Sequence, residues 1–323
     1  MKLESSLHFK SSADMSELPD ESVDLVVTSP PYPMISMWDE AFSAQSDTIA
    51  AALEHDRAMD AWEQMNRLLD RVWAECFRVL RSGGFICINI GDAARTVDGD
   101  FRLYPNHSRI SSAMTSFGLS SLPLIHWFKP TNAPNKFMGS GMLPSGAYVT
   151  LEHEYILVFR KGRRRIFNPD ESALRRRSAY FWEERNRWFS DLWDLAGERQ
   201  LLDRKAARER SGAYPFELAY RLICMYSVQG DLVADPFLGT GTTALAAAAA
   251  GRSSIGTEID PLLAESALAS LRGQCSPGKI AHSISQRRMN EHLGFVEEYR
   301  TKKGELKHRN AFYELPVITA QET

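Results

Sequence analysis

Apolar positions recur along this chain in two alternating rhythms. Short, mostly apolar runs fall at residues 7–9, 25–27, 85–90, 124–128, 155–159 and 232–234, with a further strand-like segment Ile255-Gly-Thr-Glu258, and most close on a polar or Pro/Gly tip. Runs of this length read as buried strands. Between them, Trp62, Met65, Leu68, Leu69, Val72, Trp73, Cys76, Phe77 and Leu80 recur at helical spacing, and Ser82-Gly83-Gly84 is expected to end that helix. Residues 109–117, 215–226 and the alanine run at 244–250 predict further helices. Strand and helix in repetition predict a doubly wound α/β sheet. The runs at 124–128 and 155–159 have the flanks of an antiparallel edge pair in a mixed sheet.

The run at 25–27 stops at Ser29-Pro30-Pro31-Tyr32. Two prolines fix φ and remove two backbone donors, so the turn is stiff. It sits at the carboxyl end of a strand, where open α/β sheets place ligands. Free carbonyl oxygens beside an aromatic ring suit gripping a planar base by its amino group and stacking on its face. Pro-Pro-Tyr also occurs in loops and proline-rich ligands, and the turn alone does not choose.

Near the other end, 232–234 leads into Asp235-Pro-Phe-Leu-Gly-Thr-Gly-Thr-Thr243. Gly239 and Gly241 allow a tight turn and close approach of a ligand, and the helix opening at Thr242 offers free amides. Glu258 ends the next strand 17 positions after Gly241, the spacing for a carboxylate on ribose hydroxyls. A lone Gly-x-Gly is weak. Strand, glycine turn, alanine helix, strand and terminal acid together predict a nucleoside site.

Composition narrows the partners. The chain has 323 residues, 44% hydrophobic and 24% charged, enough to bury a sizeable core. A net charge of −3 confines any polyanion surface to a local patch. Between residues 160 and 188 there are ten Lys/Arg against four Asp/Glu, with Phe167, Tyr180, Phe181, Trp182 and Trp188 interleaved. Arg163, Arg164, Arg165, Arg175, Arg176 and Arg177 are the candidate contacts to nucleic-acid phosphates, with the rings as stacking platforms. A solvated helix face with inward aromatics is the alternative. Cys76, Cys87, Cys224 and Cys275 lie far apart and read as reduced thiols, with no Cys/His cluster to hold a metal. No secretory segment opens the chain and no apolar run approaches membrane-spanning length, so a cytoplasmic protein is expected. Residues 276–323 are polar and weakly patterned, and are expected to form a loosely packed extension.

With both turns in hand, the chain resembles the beta class of exocyclic-amino DNA methyltransferases. That class carries Ser- or Asp-Pro-Pro-Tyr before a Phe-x-Gly-x-Gly loop, here Ser29–Tyr32 and Phe237-Leu-Gly239-Thr-Gly241. Arg78-Val-Leu-Arg-Ser-Gly-Gly84, Ile125-His-Trp-Phe-Lys129-Pro130 and Tyr214-Pro215-Phe216-Glu217-Leu218 follow in the expected order. The histidine often found just upstream of the last motif is missing. The resemblance implies a seven-stranded, mostly parallel, circularly permuted sheet of the S-adenosylmethionine-dependent methyltransferase type, with one reversed edge strand. It implies a catalytic half at 1–130, edge strands and a target-recognition insertion at 131–213, a cofactor half at 214–275 and an extension at 276–323.

By the same resemblance, Ser29, Pro30, Pro31 and Tyr32 are catalytic, with Tyr32 stacking on a flipped base. Asp235, Phe237, Gly239, Gly241 and Thr242 form the cofactor loop, Glu258 takes the ribose, and Phe216 and Glu217 lie near the methionine end. Asp14, expected at the end of a strand beside the catalytic one, either meets the adenine amino group or caps a turn. Ser29 in place of Asp is the choice typical of enzymes that methylate cytosine N4 in double-stranded DNA, commonly alongside a restriction endonuclease for the same site. Adenine N6, an RNA or protein-amide substrate, and a non-catalytic nucleic-acid-binding module are the alternatives. A monomer or homodimer is expected.

Overall fold

The apolar runs assemble into a single central sheet. In the computed structural model its strands are β1 (Ser5–Phe9), β2 (Val23–Thr28), β3 (Leu80–Ile90), β4 (Leu119–Ser121), β5 (Ile125–Phe128), β6 (His153–Lys161), β7 (Leu192–Asp194), β8 (Leu232–Asp235) and β9 (Ser253–Glu258). The structure describes residues 3–129, 138–139, 143–195, 214–272, 277–310 and 314–320. Much of the expected target-recognition stretch, 130–137, 140–142 and 196–213, lies outside them. The strand order is β1-β9-β8-β2-β3-β6-β5-β7, with β4 also on β6. The first five are mutually parallel, and β6 runs antiparallel to both β3 and β5.

Two expectations about this sheet are corrected. The reversed strand is interior, and β7 forms the edge beyond β5. Its sequence explains why: Leu157 and Phe159 face one core cluster while Ile156 and Val158 face the other, and only an interior strand buries both faces. Among the described residues the sheet has nine strands where seven were expected. Pro123, which has no amide hydrogen to donate, separates β4 from β5 along one line beside β6, and β7 adds the other.

Helix α1 (Ala58–Val79) and helix α2 (Asn106–Ser116) cover the first face. The turn expected at Ser82-Gly83-Gly84 is already part of β3, which starts directly at Leu80. Helices α3 (Pro169–Arg177) and α4 (Trp182–Trp188) follow β6. Helices α5 (Phe216–Tyr226) and α6 (Thr242–Ala249) cover the second face, and α7 (Pro261–Arg272) packs on α6 and β1. Among the described residues no helix is long and apolar enough to cross a membrane.

The expected loose extension is instead α8 (Pro277–Lys303), 27 residues long and packed on α6. Its Ile284, His292 and Val296 are buried, and His292 faces Phe181 ring to ring at 3.9 Å. A polar sequence hides this because few of its positions are apolar; the contacts are made by Arg288 and His292 through charge and hydrogen bonds.

Candidate active site

The two signature turns leave the carboxyl ends of neighbouring strands in the middle of the sheet. β2 and β8 pair in parallel, Leu25 opposite Val233 and Val26 opposite Ala234. From this pair the sheet grows outward in opposite directions, so their carboxyl ends open a crevice at a topological switch point. Buried Asp235 joins the turns across it. It accepts hydrogen bonds from Thr28 Oγ1 at 2.6 Å, Thr243 Oγ1 at 2.5 Å and the Phe237 amide at 3.0 Å. Burial pushes its carboxyl up to about 6, against the pull of those donors. Asp235 therefore shapes the glycine loop, its oxygens engaged by these protein donors.

The Ser29–Tyr32 turn is braced from three sides. Asn106, fully buried at the start of α2, donates to Pro33 O at 3.0 Å and Gly91 O at 3.1 Å. Met34, buried behind the turn, sits at φ +66°, a left-handed conformation that a non-glycine residue adopts at a cost. The Tyr32 ring lies against Gly91, where a Cβ would come within 3.0 Å of Cε2. The Tyr32 hydroxyl meets Ser29 Oγ at 3.2 Å, Glu154 Oε2 at 2.8 Å and Asn89 Nδ2 at 2.8 Å. Burial and the Glu154 charge raise its pKa well above that of a free tyrosine. Glu154, Asn89 and Lys129, which holds the other Glu154 oxygen at 2.7 Å, escaped the sequence reading. Inside an apolar run or beside a proline, none of them carries a local signal.

The glycine loop has the geometry of a cradle. Gly239 (φ +55°) and Gly241 (φ +86°) both occupy the left-handed region. A Cβ on Gly241 would press on Ala267 of α7 at 3.1 Å, whereas one on Gly239 meets only Phe237 O at 4.0 Å. Gly239 thus faces open space, on the side where a ligand can approach its backbone. Glu258 ends β9 beside it, accepting from the Gly239 amide at 2.7 Å and the Asp260 amide at 2.8 Å. Its carboxyl is raised by burial against the pull of the Asp260, Gly239 and Ile259 amides, and a carboxylate with about four lone-pair sites keeps room for a hydroxyl. Phe237 packs edge-on to Trp73, ring centres 5.8 Å apart, and Thr242 opens α6.

The remaining candidates fall elsewhere. Asp14 follows β1, which pairs with β9 and not with the catalytic β2, so its expected neighbour is corrected. That pairing sets Phe9 opposite Glu258 and brings the segment to the cofactor side, where Asp14 also caps the Ser16 amide at 3.0 Å. Phe216 opens α5 and stacks on Tyr220. Glu217 is bound by Arg221 at 2.8 Å and by Arg287 of α8 at 2.6 Å.

The arginine block lies at the opposite end of the sheet. Antiparallel β6 delivers the chain to the amino ends of the parallel strands, where Arg165 binds Asp231 at 2.9 Å and Glu171 at 3.4 Å, with Asp24 at 3.7 Å. Arg165 is thus a strut between β2, β8 and α3, in place of the expected phosphate contact. Arg163, Arg164, Arg175, Arg176 and Arg177 are exposed on the same side. The six residues of β2, ~20 Å long, lie between this end of the sheet and Ser29.

Residues 23–269 match the N6/N4 DNA methylase family, from the start of β2 into α7. The chain belongs to that family. Over its whole length it is 50% identical to the type II methyltransferase M.MthZI of Methanothermobacter thermautotrophicus, covering 89% of that protein. Over 79% of its length it is 49% identical to M.MjaI of Methanocaldococcus jannaschii, covering 87% of that methyltransferase. Among solved structures it is similar to TTHA0409 of Thermus thermophilus in complex with S-adenosyl-L-methionine, with TM-score 0.62, 34% identity, and 81% and 90% of the two chains covered. The PvuII cytosine-N4-specific methyltransferase shares the fold, at TM-score 0.58 and 20% identity over 89% and 93% of the chains. Methylase chemistry accounts for both turns facing one crevice.

Proposed function

We propose that this methylase transfers a methyl group from S-adenosyl-L-methionine to the N4 amine of a cytosine swung out of duplex DNA, as the modification arm of a type II restriction system. S-adenosyl-L-methionine supplies a methyl on a sulfonium, which leaves as a neutral thioether with the bonding electron pair. The Gly239 backbone, the first amides of α6 and the Glu258 carboxylate would hold it, matching the open face at Gly239 and the spare lone pairs of Glu258. Phe237 offers a ring to the sulfonium. Ser29 and the Pro30 carbonyl accept from the target amine, whose nitrogen is a poor nucleophile until held in line. Tyr32 offers its ring to the flipped base.

The observation that carries the choice of cytosine is the neutral hydroxyl of Ser29 at the head of the turn. An aspartate there would set a second carboxylate beside the phenol that Glu154 already holds. Serine accepts from the amine without that repulsion. The test is to methylate unmodified phage DNA with the purified protein and digest it to nucleosides. N4-methylcytosine is expected, and N6-methyladenine would overturn the choice of base. Label found only in RNA or in a protein amide would overturn DNA as substrate.

Phosphate contacts by Arg163, Arg164, Arg175, Arg176 and Arg177 would engage duplex that runs past the target site. Neutralising Arg163, Arg164, Arg175 and Arg176 together should weaken binding to duplexes of several helical turns and flatten the salt dependence. Binding of a duplex of about one turn should be unchanged, since it reaches the cleft alone. Equal effects on both lengths, or none on either, would defeat this assignment.

A further inference from the structure

We propose that Glu154 is the terminal proton acceptor of methyl transfer, reached from the target amine through the hydroxyls of Ser29 and Tyr32; this rests on the amino-methyltransferase reading above. An amine nitrogen that gains a methyl group becomes cationic and must lose one proton. Neither proline can take it, and a serine hydroxyl is no base by itself. Nearby Asp235 already accepts three protein donors, and Asp92 is held by His107 through both oxygens at 2.8 Å.

The hydrogen-bond directions lead to Glu154. A carboxylate only accepts and an amide nitrogen only donates. The Tyr32 oxygen receives the Asn89 Nδ2 hydrogen at 2.8 Å and the Ser29 hydroxyl hydrogen at 3.2 Å. Its own proton is therefore left for Glu154 Oε2, at 2.8 Å. Asn89 Nδ2 also donates to that oxygen at 2.8 Å, fixing the carboxylate against the phenol. The donors run one way, from the substrate side of the turn to Glu154. With its proton turned toward Tyr32, Ser29 presents lone pairs to the amine.

The step balances within these groups. The N–H bond of the methylated amine breaks as Ser29 Oγ takes that proton. Ser29 passes its own proton to Tyr32 Oη, and Tyr32 passes its proton to Glu154 Oε2. The amine ends neutral and singly methylated, both hydroxyls are restored, and Glu154 ends as a carboxylic acid. The high pKa of Tyr32 is consistent with a relay that never leaves a phenolate behind. The titratable groups facing this chain are Lys129, on Glu154 Oε1 at 2.7 Å, and the Tyr214 phenol near Tyr32. Lys129 is half exposed, while Glu154 keeps 14% of its side-chain surface, so the proton can return to water along the lysine side.

The experiment measures single-turnover methyl transfer to phage DNA against pH for wild type, Glu154→Gln and Tyr32→Phe. Affinity for S-adenosylhomocysteine by calorimetry serves as the check on folding. Wild type should lose rate at low pH along a limb that both variants lack. Glu154→Gln should be about 100-fold slower, the lower range for a lost general base, and should lack that limb at unchanged cofactor-product affinity. Tyr32→Phe breaks the relay while leaving Glu154 on Asn89 and Lys129, and should show the same loss and the same missing limb. The double variant should be no slower than the slower single one, because both cut one path. A Glu154→Gln enzyme that keeps the wild-type rate, or that slows but keeps the limb, overturns the proposal. Absence of methyl transfer to DNA by wild type defeats the reading on which the relay rests, an outcome visible before any variant is compared.

Discussion

Gly239→Asp should abolish binding of S-adenosyl-L-methionine while leaving a folded protein. The residue sits at φ +55°, where an L side chain costs roughly 1–2 kcal/mol. Its absent Cβ meets only Phe237 O at 4.0 Å, so the aspartate side chain enters the open space beside the backbone and not the core. There it fills the ligand's approach and adds a charge near Glu258, whose oxygen accepts from the Gly239 amide at 2.7 Å. We expect at least a 100-fold loss of affinity, about 2.7 kcal/mol, read by calorimetry with S-adenosyl-L-methionine. A folded variant with wild-type affinity would remove this loop from the cofactor site. Gly241→Asp should behave differently, because its Cβ meets Ala267 at 3.1 Å and the strain falls on packing.

The largest loss of stability is expected from Arg288→Ala. Arg288 of α8 binds both oxygens of Glu184 in α4, at 2.6 and 2.7 Å, and reaches the Tyr220 hydroxyl at 3.2 Å. Its guanidinium also lies over Trp188 at 5.5 Å. Glu184 retains only 3% of its side-chain surface. Removing the arginine leaves a buried carboxylate without its counter-charge, which costs about 3–5 kcal/mol. Urea unfolding should show this, and Glu184→Ala added to Arg288→Ala should recover part of it. A loss below about 1 kcal/mol would mean that the pair behaves as a surface salt bridge and that α8 is not part of the cooperative fold.

Local backbone chemistry made both turns of the site legible in the sequence. Ser29-Pro30-Pro31-Tyr32 is readable because proline fixes φ wherever it stands. The loop at Gly239 and Gly241 is readable because only glycine adopts their conformation cheaply, and both have positive φ in the structure. The strands were legible where apolar residues serve two faces, as at 155–159, although the edge position inferred for that run was wrong. What the sequence could not convey depends on residues far apart in the chain. Thr28 meets Asp235 across 207 positions and Tyr32 meets Glu154 across 122, and neither partner has a local pattern that announces the other. The arginine block shows the limit most plainly. Its charge is countable, but only the reversed direction of β6 decides that it emerges at the amino ends of the sheet, with Arg165 spent on Asp231. Composition specifies how much charge a segment carries, while topology decides which end of the sheet receives it.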